Sequence, residues 1–260
     1  YGLYYNCAAI ADAQVRAYAL KAPDFGWGGA EAGERTKMLF INSPHNPTGA
    51  VLSKEELGQI ADFAKANNLL VVSDEAYDRL LYDGLEHRSI ASEPGMRDRT
   101  VILGSFSKTY SMTGWRIGYL AGPAEVIRGM ALLQQSFVLS VNSFAQWGAV
   151  EAMTGPQDCV EEMRQQFDIR RKAMMEALST IPNVSFAAPK GAFYIYLNHE
   201  KTGLDPVRFC AKLLDEYYVA CVPGSEYGPY AGCNTRISCA TGLDDCLEGV
   251  ARIRKMVASL

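Results

Sequence analysis

Three short, continuously apolar segments constrain the fold of this chain more than any other feature. They are KMLFIN at 37–42, LLVV at 69–72 and TVILGS at 100–105. Uninterrupted apolar runs of this length are typical of strands that are covered on both faces of a sheet. A helical pattern lies between the first two segments, so these two strands are expected to be parallel and joined by a right-handed crossover. The sequence therefore predicts an α/β fold with a mostly parallel sheet.

The helix between the first two strands has clear start and stop signals. SKEE at 53–56 forms a capping box, with Ser53 as the N-cap and Glu56 at the third helical position. Its apolar positions share one face: Leu57, Ile60, Ala61 and Ala64. Asn67 and Asn68 end the helix, and a fourth strand is predicted at 116–122. Two further helices are predicted from Pro123 to Leu139 and at 143–153.

The pattern changes near residue 154, where a second domain is predicted to begin. A long helix runs to Ser179, another helix is predicted at 206–217, and a last one is predicted from Thr241, where Thr-x-x-Asp suggests a cap. Short strands are predicted at 184–188, 192–197, 218–222 and 235–240. The predicted domains are thus a large α/β domain at 1–154 and a smaller α+β domain at 155–260.

Composition excludes several classes of protein. The formal net charge is −4 and no basic run is longer than residues 170–172, so nucleic-acid binding is not expected. Seven scattered cysteines without a C-x-x-C pair indicate reduced thiols and a cytoplasmic location. Three histidines without metal-binding spacing predict no metal site. Residues 129–150 carry no charge, but their Gln, Asn and Ser residues favour a buried or interface segment over a membrane span.

Polar side chains follow each of the three apolar strands. Asn46 lies in SPHNPTG after the first strand, Asp74 and Tyr77 lie in SDEAY after the second, and Lys108 lies in SFSK after the third. Taken singly, each is ordinary: a turn, a helix cap or a solvated charge. Open parallel sheets bind ligands beyond the carboxyl ends of their strands. An amide, a carboxylate, a phenol and an amine at one edge therefore predict a functional site.

These motifs resemble those of the pyridoxal-phosphate-dependent aminotransferases of class I, especially the bacterial aspartate and aromatic branch. The resemblance rests on NSPHNPTG at 42–49, SDEAYDRLLYDG at 73–84 and SFSKTYSMTGWRIGYLAGP at 105–123. It extends through PKGAFYIY to NTRISCA at 234–240, and so covers nearly the whole chain. It implies a three-layer large domain and a small C-terminal domain. The family's large domain normally begins well before residue 1, so an N-terminal part is expected to be missing.

The resemblance implies pyridoxal 5′-phosphate as the cofactor and assigns a role to each polar residue at the sheet edge. Lys108 matches the lysine that bonds to the cofactor and later moves the substrate proton. Asp74 matches the carboxylate that pairs with the pyridine nitrogen. Tyr77 and Asn46 match the donors to the phenolic oxygen of the cofactor.

Three further residues match the phosphate site and one matches the substrate site. Ser105, Ser107 and Arg116 match the phosphate cradle, where hydroxyls and a fork-shaped guanidinium suit a dianion. Arg236 matches the arginine that binds the α-carboxylate of the substrate, and Asn46 is also expected to contact the substrate.

The resemblance implies a transaminase that passes an amino group from an L-amino acid to a 2-oxo acid, as a cytoplasmic homodimer. Two alternatives remain: a β-eliminating C–S lyase with the same cofactor, and an aminotransferase-like sensor domain of a transcriptional regulator. Some relatives that act on dicarboxylates use an arginine of the partner subunit to read the substrate side chain. The corresponding region, 130–147, contains no Lys or Arg, which argues against aspartate specificity by that route.

Overall fold

The computed structural model describes residues 1–260, and the chain divides into two compact units. Unit 1 comprises Tyr1–Gly28, His45–Ala50 and Gln165–Leu260. Unit 2 comprises Gly29–Pro44 and Val51–Arg164. The domain boundaries drawn from the sequence, 1–154 and 155–260, stay a prediction.

The helices and strands of the two units have the following bounds. The helices are α1 (Gly2–Ile10), α2 (Lys54–Ala66), α3 (Phe106–Thr109), α4 (Ala124–Val138), α5 (Ser143–Thr154), α6 (Asp158–Ser179), α7 (Pro206–Tyr217) and α8 (Leu243–Ala258). The strands are β1 (Met38–Asn42), β2 (Leu70–Asp74), β3 (Thr100–Ser105), β4 (Gly118–Ala121), β5 (Ser185–Phe186), β6 (Tyr194–Asn198), β7 (Val222–Pro223) and β8 (Asn234–Ser238).

Unit 2 is built on a four-stranded sheet in the order β1-β2-β3-β4. The first three strands are parallel and β4 is antiparallel to β3. This arrangement confirms the predicted α/β class with a mostly parallel sheet. Parallel neighbours place their carboxyl ends at one edge of the sheet, which is where the predicted polar residues follow.

The predicted capping box begins helix α2 as expected. The Ser53 hydroxyl accepts a hydrogen bond from the Glu56 amide at 3.2 Å, and the Glu56 carboxylate accepts one from the Ser53 amide at 2.7 Å. The helix buries the four predicted apolar residues, Leu57, Ile60, Ala61 and Ala64. Burial of this face stabilises the helix within unit 2, because an apolar stripe is costly to expose to water.

The prediction that the apolar strands are covered on both faces holds for β2 but is wrong for β1. Val71 and Val72 of β2 are buried, whereas Met38 and Phe40 of β1 are 50% and 38% exposed. All four residues of β4 are exposed as well. One row of β1 side chains is therefore only partly covered.

The uncharged segment 129–150 forms the end of α4, a short connection and the start of α5. Helix α4 has no buried residue, whereas Ala145 and Ala149 of α5 are buried. The segment's large apolar side chains are more than half exposed: Leu132, Leu133, Phe137, Val138 and Leu139. No helix of the structure combines the length and the apolarity that are needed to cross a membrane.

Unit 1 contains an antiparallel sheet in the order β5-β6-β8-β7. Buried apolar residues of β6 and β8 form one core cluster with those of α6, α7 and α8. Helix α7 spans the predicted residues, 206–217, and Asp205 caps it by accepting hydrogen bonds from Val207 and Arg208 amides. The mixture of short strands and helices is the α+β pattern that the sequence predicted.

Two details of unit 1 correct the sequence predictions. Helix α8 begins after Gly242 without a side-chain cap, because the Thr241 hydroxyl donates to the Asp245 carboxylate at 3.1 Å instead. The strand predicted at 218–222 is limited to β7, because Tyr218 adopts a left-handed conformation (φ 58°) at the end of α7. A left-handed residue cannot continue a strand, so pairing starts only at Val222.

Candidate active site

The carboxyl ends of β2 and β3 bring the predicted acid and the predicted lysine segment to one edge of the sheet in unit 2. Asp74 is the last residue of β2 and is in register with Leu103 of β3. Ser105 ends β3, and α3 with Lys108 follows directly. The backbone oxygen of Asp74 accepts a hydrogen bond from the Asn42 side chain at 2.9 Å, which ties the end of β1 to this edge.

The segment after β2 is held by side-chain hydrogen bonds. One carboxylate oxygen of Asp74 accepts from the Ala76 amide at 3.1 Å. Asp74 is half-buried and Tyr77 is buried, with 5% of its surface exposed. This turn fixes the direction of the Asp74 side chain, because the carboxylate accepts a hydrogen bond from the backbone amide two residues further along the chain.

Lys108 lies on the short helix α3, between two buried neighbours. Phe106 and Thr109 are buried, whereas Ser105, Ser107 and Lys108 are half-buried. The Ser105 hydroxyl accepts from the Ser107 amide at 3.2 Å and so begins the helix. The lysine is therefore carried by a turn whose two buried side chains fix its position.

A hydrogen bond joins the segment of Lys108 to the segment of Tyr77. The Thr109 hydroxyl donates to the Asp78 carboxylate at 3.2 Å. Burial raises the pKa of Asp78, although His87 and the Thr109 bond oppose this effect. Thr109 and Asp78 each follow a predicted site residue, so this bond fixes two parts of the site with respect to each other.

Arg116 ends a 3-10 turn formed by Thr113–Trp115. It adopts a left-handed backbone (φ 52°), and its side chain is exposed. Its Nη1 donates to the Thr113 backbone oxygen at 2.8 Å. The remaining guanidinium donors are available to an anion, because an arginine carries five N–H groups.

Glu75 is a buried carboxylate beside Asp74 that the sequence analysis did not single out. It accepts hydrogen bonds from Ser73 at 2.9 Å, Ser89 at 2.7 Å and His87 at 2.7 Å. Burial by itself raises the pKa of Glu75, but the bonds from these three partners outweigh it and leave the pKa below its ordinary value. Glu75 lies in a run of polar residues directly after a buried strand, and it could have been predicted from this position.

In unit 1, Arg236 contacts Asn46. The Arg236 Nη1 donates to the Asn46 side-chain oxygen at 3.0 Å. The guanidinium also lies over the Tyr194 ring, 4.2 Å from its centroid, and 5.4 Å from that of Tyr227. Its Nε is buried and has no hydrogen-bond partner. A buried donor without an acceptor costs free energy, so this atom points to a ligand that accepts a hydrogen bond.

The turn that carries Asn46 is anchored at Gly49. The Gly49 backbone oxygen accepts from the amides of Lys190 and Gly191, at 2.8 and 2.9 Å. Gly49 has φ 70°, and a Cβ at this position would overlap Pro189. Only glycine allows both the left-handed backbone and the close approach. The two motifs NPTG and PKG are thus packed against each other within unit 1.

No group of three or more His, Cys, Asp or Glu side chains in the structure could hold a metal ion. The groups described above are of several chemical types. In unit 2 these are a lysine, an aspartate, a tyrosine, two serines and an arginine; in unit 1 they are an arginine and an asparagine. In unit 1, Arg236 and Asn46 are in contact; in unit 2, the strand register places Asp74 beside the end of β3, which the Lys108 turn follows.

The fold and these residues define an α/β protein with a polar site at the carboxyl edge of parallel strands. The sequence profile of the family "aminotransferase class I and II" matches residues 1–253. The chain belongs to this family, whose homologues are pyridoxal-phosphate-dependent enzymes. This finding confirms the family that the motifs indicated.

Curated relatives support the same assignment. An aspartate aminotransferase of Bacillus sp. (strain YM-2) is 44% identical over 230 residues, which are 86% of this chain and 58% of the relative. Aromatic-amino-acid aminotransferase 2 of Thermococcus litoralis is 40% identical, with the same two coverages. The chain thus spans less than two thirds of the length of the curated relatives that it matches.

Two solved structures show the same fold. An aromatic aminotransferase from Pyrococcus horikoshii OT3 superposes with a TM-score of 0.84 at 41% identity, covering 88% of this chain and 61% of that one. The aspartate aminotransferase from Thermus thermophilus with maleate gives a TM-score of 0.80 at 36% identity, covering 86% of this chain and 58% of that one. The fold prediction is therefore confirmed by proteins of known structure.

Proposed function

We propose that the protein is a pyridoxal-phosphate-dependent transaminase. It moves an amino group from an L-amino acid, such as aspartate or an aromatic amino acid, to a 2-oxo acid such as 2-oxoglutarate. One observation carries the proposal: Asp74 and the Lys108 turn lie at the carboxyl ends of neighbouring parallel strands in a chain that matches the aminotransferase family.

The residues of unit 2 fit this cofactor in their chemistry. The hydroxyls of Ser105 and Ser107 and the guanidinium of Arg116 suit the phosphate dianion. The Asp74 carboxylate suits a protonated pyridine nitrogen, and the Lys108 amine suits the aldehyde carbon. The Tyr77 hydroxyl would donate to the phenolic oxygen, and the family resemblance gives Asn46 of unit 1 the same role. The bound cofactor would supply an electron sink for the electrons of the Cα–H bond of the substrate.

The side chains of the protein would bind and transfer the protons of the reaction. Lys108 would hold the aldehyde carbon of the cofactor, and as a free amine it would take the proton from Cα of the substrate and pass it to that aldehyde carbon. Asp74 would keep the pyridine nitrogen protonated through its negative charge. The buried Phe106 and Thr109 on either side limit the movement of the lysine segment and so orient its amine.

Arg236 and Asn46 fit the substrate's α-carboxylate. Their hydrogen bond sets the plane of the guanidinium, and the buried Nε of Arg236 needs an acceptor. A carboxylate can accept two parallel hydrogen bonds from a guanidinium, which fixes the orientation of the amino acid as well as its affinity. We therefore assign recognition of the α-carboxylate to Arg236.

The relatives favour this activity over the two alternatives, a β-eliminating C–S lyase and a regulator's sensor domain. Both curated relatives described above are named as aminotransferases, one for aspartate and one for aromatic amino acids. We further propose a cytoplasmic homodimer. The exposed apolar side chains of α4 and α5, among them Phe137, Phe144 and Trp147, support an interface, because so many large apolar groups are rarely left in water.

The test of the proposal is a covalent label on Lys108. Borohydride treatment of the full-length protein loaded with pyridoxal phosphate should attach the cofactor to the peptide that contains Lys108. The variant Lys108→Arg keeps the charge and should carry no label. A label on another lysine, or none at all, would contradict the proposal. Amino acids assayed singly against 2-oxoglutarate would then identify the donor.

A further inference from the structure

Two cysteine side chains of unit 1 are in direct contact. Cys210 lies in α7 and Cys221 lies directly before β7, and their sulfur atoms are 3.4 Å apart. Cys221 donates its S–H to the Cys210 sulfur. Cys210 is buried with 9% of its surface exposed, and Cys221 is half-buried. The two belong to one unit, so their contact is a local property of the C-terminal fold.

The surroundings of Cys210 favour its thiolate. The Thr235 hydroxyl lies 3.4 Å from the Cys210 sulfur, and it also contacts Nε2 of His199 at 3.2 Å. The bond from Cys221 lowers the pKa of Cys210 to about 7; burial opposes this effect, and the Thr235 bond adds to it. The pKa of Cys221 is raised, because its proton is held in the bond to Cys210. A thiolate with a neighbouring thiol is the arrangement that peroxides oxidise.

The other thiols of the chain lack this combination. Cys7 and Cys159 are exposed and Cys233 is half-buried, and none of the three hydrogen-bonds to another sulfur. Burial raises the pKa of Cys239 to about 12 and also raises that of Cys246. Their thiols stay protonated near neutral pH, so they react slowly with oxidants. Cys210 and Cys221 therefore stand apart by geometry and by environment.

We propose that Cys210 and Cys221 form a redox-active dithiol that closes into a disulfide when it meets a peroxide. The Cys210 thiolate attacks a peroxide oxygen: an S–O bond forms, the O–O bond breaks, and the leaving hydroxide takes up a proton to become water. The Cys221 sulfur then attacks the Cys210 sulfur: the S–S bond forms, the S–O bond breaks, and the second hydroxide leaves with the Cys221 proton as water. Two thiols and one hydrogen peroxide thus give one disulfide and two waters.

The required movement is small. A disulfide joins its sulfur atoms at about 2.05 Å, so the two sulfurs must approach by roughly 1.4 Å from the observed 3.4 Å. Cys210 is fixed in α7 by its buried neighbour Phe209, whereas Cys221 lies in the connection between α7 and β7. We expect Cys221 to make most of the movement. A disulfide here is reversible by dithiols, in keeping with a compartment that holds other thiols reduced.

The test is peptide mapping of the reduced full-length protein after exposure to hydrogen peroxide. Free thiols are blocked with an alkylating reagent before trypsin digestion. Cys210 then lies in the peptide 209–212 and Cys221 in the peptide 213–236, which also contains Cys233. We expect a cross-linked pair of these peptides, with the mass of both minus two hydrogens plus one alkyl group on Cys233, that disappears on treatment with dithiothreitol.

Two matched variants assign the bond. Cys221→Ser should abolish the cross-link, whereas Cys233→Ser should leave it unchanged. Thr235→Val removes a hydrogen bond to the thiolate and should slow cross-linking several-fold at neutral pH. The proposal is overturned if Cys210 and Cys221 are still alkylated at a peroxide dose that oxidises the exposed Cys159, or if the cross-link persists in Cys221→Ser. None of these readouts depends on transaminase activity, so they test the dithiol independently of the proposed function.

Discussion

Arg236 Nη1 donates a hydrogen bond to the side-chain oxygen of Asn46 at 3.0 Å, although 190 positions separate the two residues in the chain. Asn46 lies in the turn 45–50, and Arg236 lies on β8, where the Tyr194 ring supports its guanidinium. The amide oxygen uses one N–H of the guanidinium and leaves the buried Nε without an acceptor. This contact thus orients a cation that still has a donor to offer to a carboxylate.

Replacing Arg236 with lysine should weaken substrate binding without loss of cofactor. Arg236→Lys keeps the charge but removes the planar fork, so one charged hydrogen bond is lost. We expect KM for the amino acid to rise roughly 10- to 100-fold. The absorbance of the bound cofactor should not change.

Arg208→Lys is the control, because Arg208 is exposed and pairs only with Asp205 on the surface of α7. It should behave as wild type in both assays. If Arg236→Lys instead loses the cofactor and keeps its affinity for substrate, then Arg236 belongs to the phosphate site and its assignment is wrong.

Replacing Gly49 with alanine should disturb the turn that carries Asn46. Gly49 has φ 70°, and an added Cβ would overlap Pro189 and lie 2.9 Å from the Gly191 backbone oxygen. These neighbours are backbone or ring atoms that cannot swing away. Gly49→Ala should therefore lower the free energy of unfolding, measured with urea, and should raise KM as Asn46 shifts.

Gly203→Ala separates the two causes of this effect. Gly203 has a similar φ of 75°, but a Cβ there would meet nothing within 4 Å. The free energy of unfolding of this variant should fall by only about 1–2 kcal/mol, which is the cost of a left-handed backbone at a residue with a side chain. Equal losses in the two variants would show that the contact with Pro189 and Gly191 is unimportant.

Local signals in the sequence were sufficient for most elements of the fold. The capping box at Ser53 and the apolar run of β3 each act within one turn or strand, and the structure places the corresponding elements where they were expected. Helix α1 was not predicted. Its sequence, GLYYNCAAI, is apolar without helical periodicity, and none of its residues is buried. A helix without a buried face leaves no periodic pattern to read.

Contacts between distant residues could not be predicted. Nothing near Arg236 in the sequence points to Asn46, because β8 brings the two together only in the folded unit. The same holds for the bond between Thr109 and Asp78, and for the carboxylate of Glu75 with its partners Ser89 and His87. The sequence shows which residue types are present at strand ends, but it does not show which of them bond to one another.

Replacing Asp74 with asparagine should slow proton transfer far more than it weakens cofactor binding. Asp74→Asn keeps an oxygen that can accept from the Ala76 amide, so the turn is preserved. The negative charge opposite the pyridine nitrogen is lost, and with it the stabilisation of charge that builds up on the ring. We expect a loss of ~10²–10⁴-fold or more in single-turnover rate.

Asp78→Asn is the matched variant, because it also removes a carboxylate from this segment but keeps an acceptor for the Thr109 hydroxyl. It should lose much less activity than Asp74→Asn. Near wild-type turnover in Asp74→Asn would refute the role assigned to that residue.

The last prediction concerns His199, a fully buried side chain of unit 1. It is 0% exposed, and its ring stacks on that of Phe209 with centroids 3.9 Å apart. Burial lowers the pKa of His199 from its ordinary 6.5 to about 4, because the charged form is poorly solvated there. The neutral ring is thus the form that the folded state favours.

Below pH 6.5 the unfolded chain binds a proton at His199 that the folded chain does not bind until about pH 4. Stability is therefore fully present above pH 6.5 and is lost as pH falls from 6.5 to 4, by about 3 kcal/mol for this group. Burial also lowers the pKa of His45 below its ordinary value, which adds a loss of the same sign. His199→Gln cannot titrate, and its amide can still contact Thr235. Urea unfolding at a series of pH values measures how the free energy of unfolding declines between pH 6.5 and 4. This decline should be shallower for His199→Gln than for wild type, even if the substitution lowers stability by a constant amount at every pH. Parallel curves over this range would mean that His199 takes up its proton equally in the folded and unfolded states.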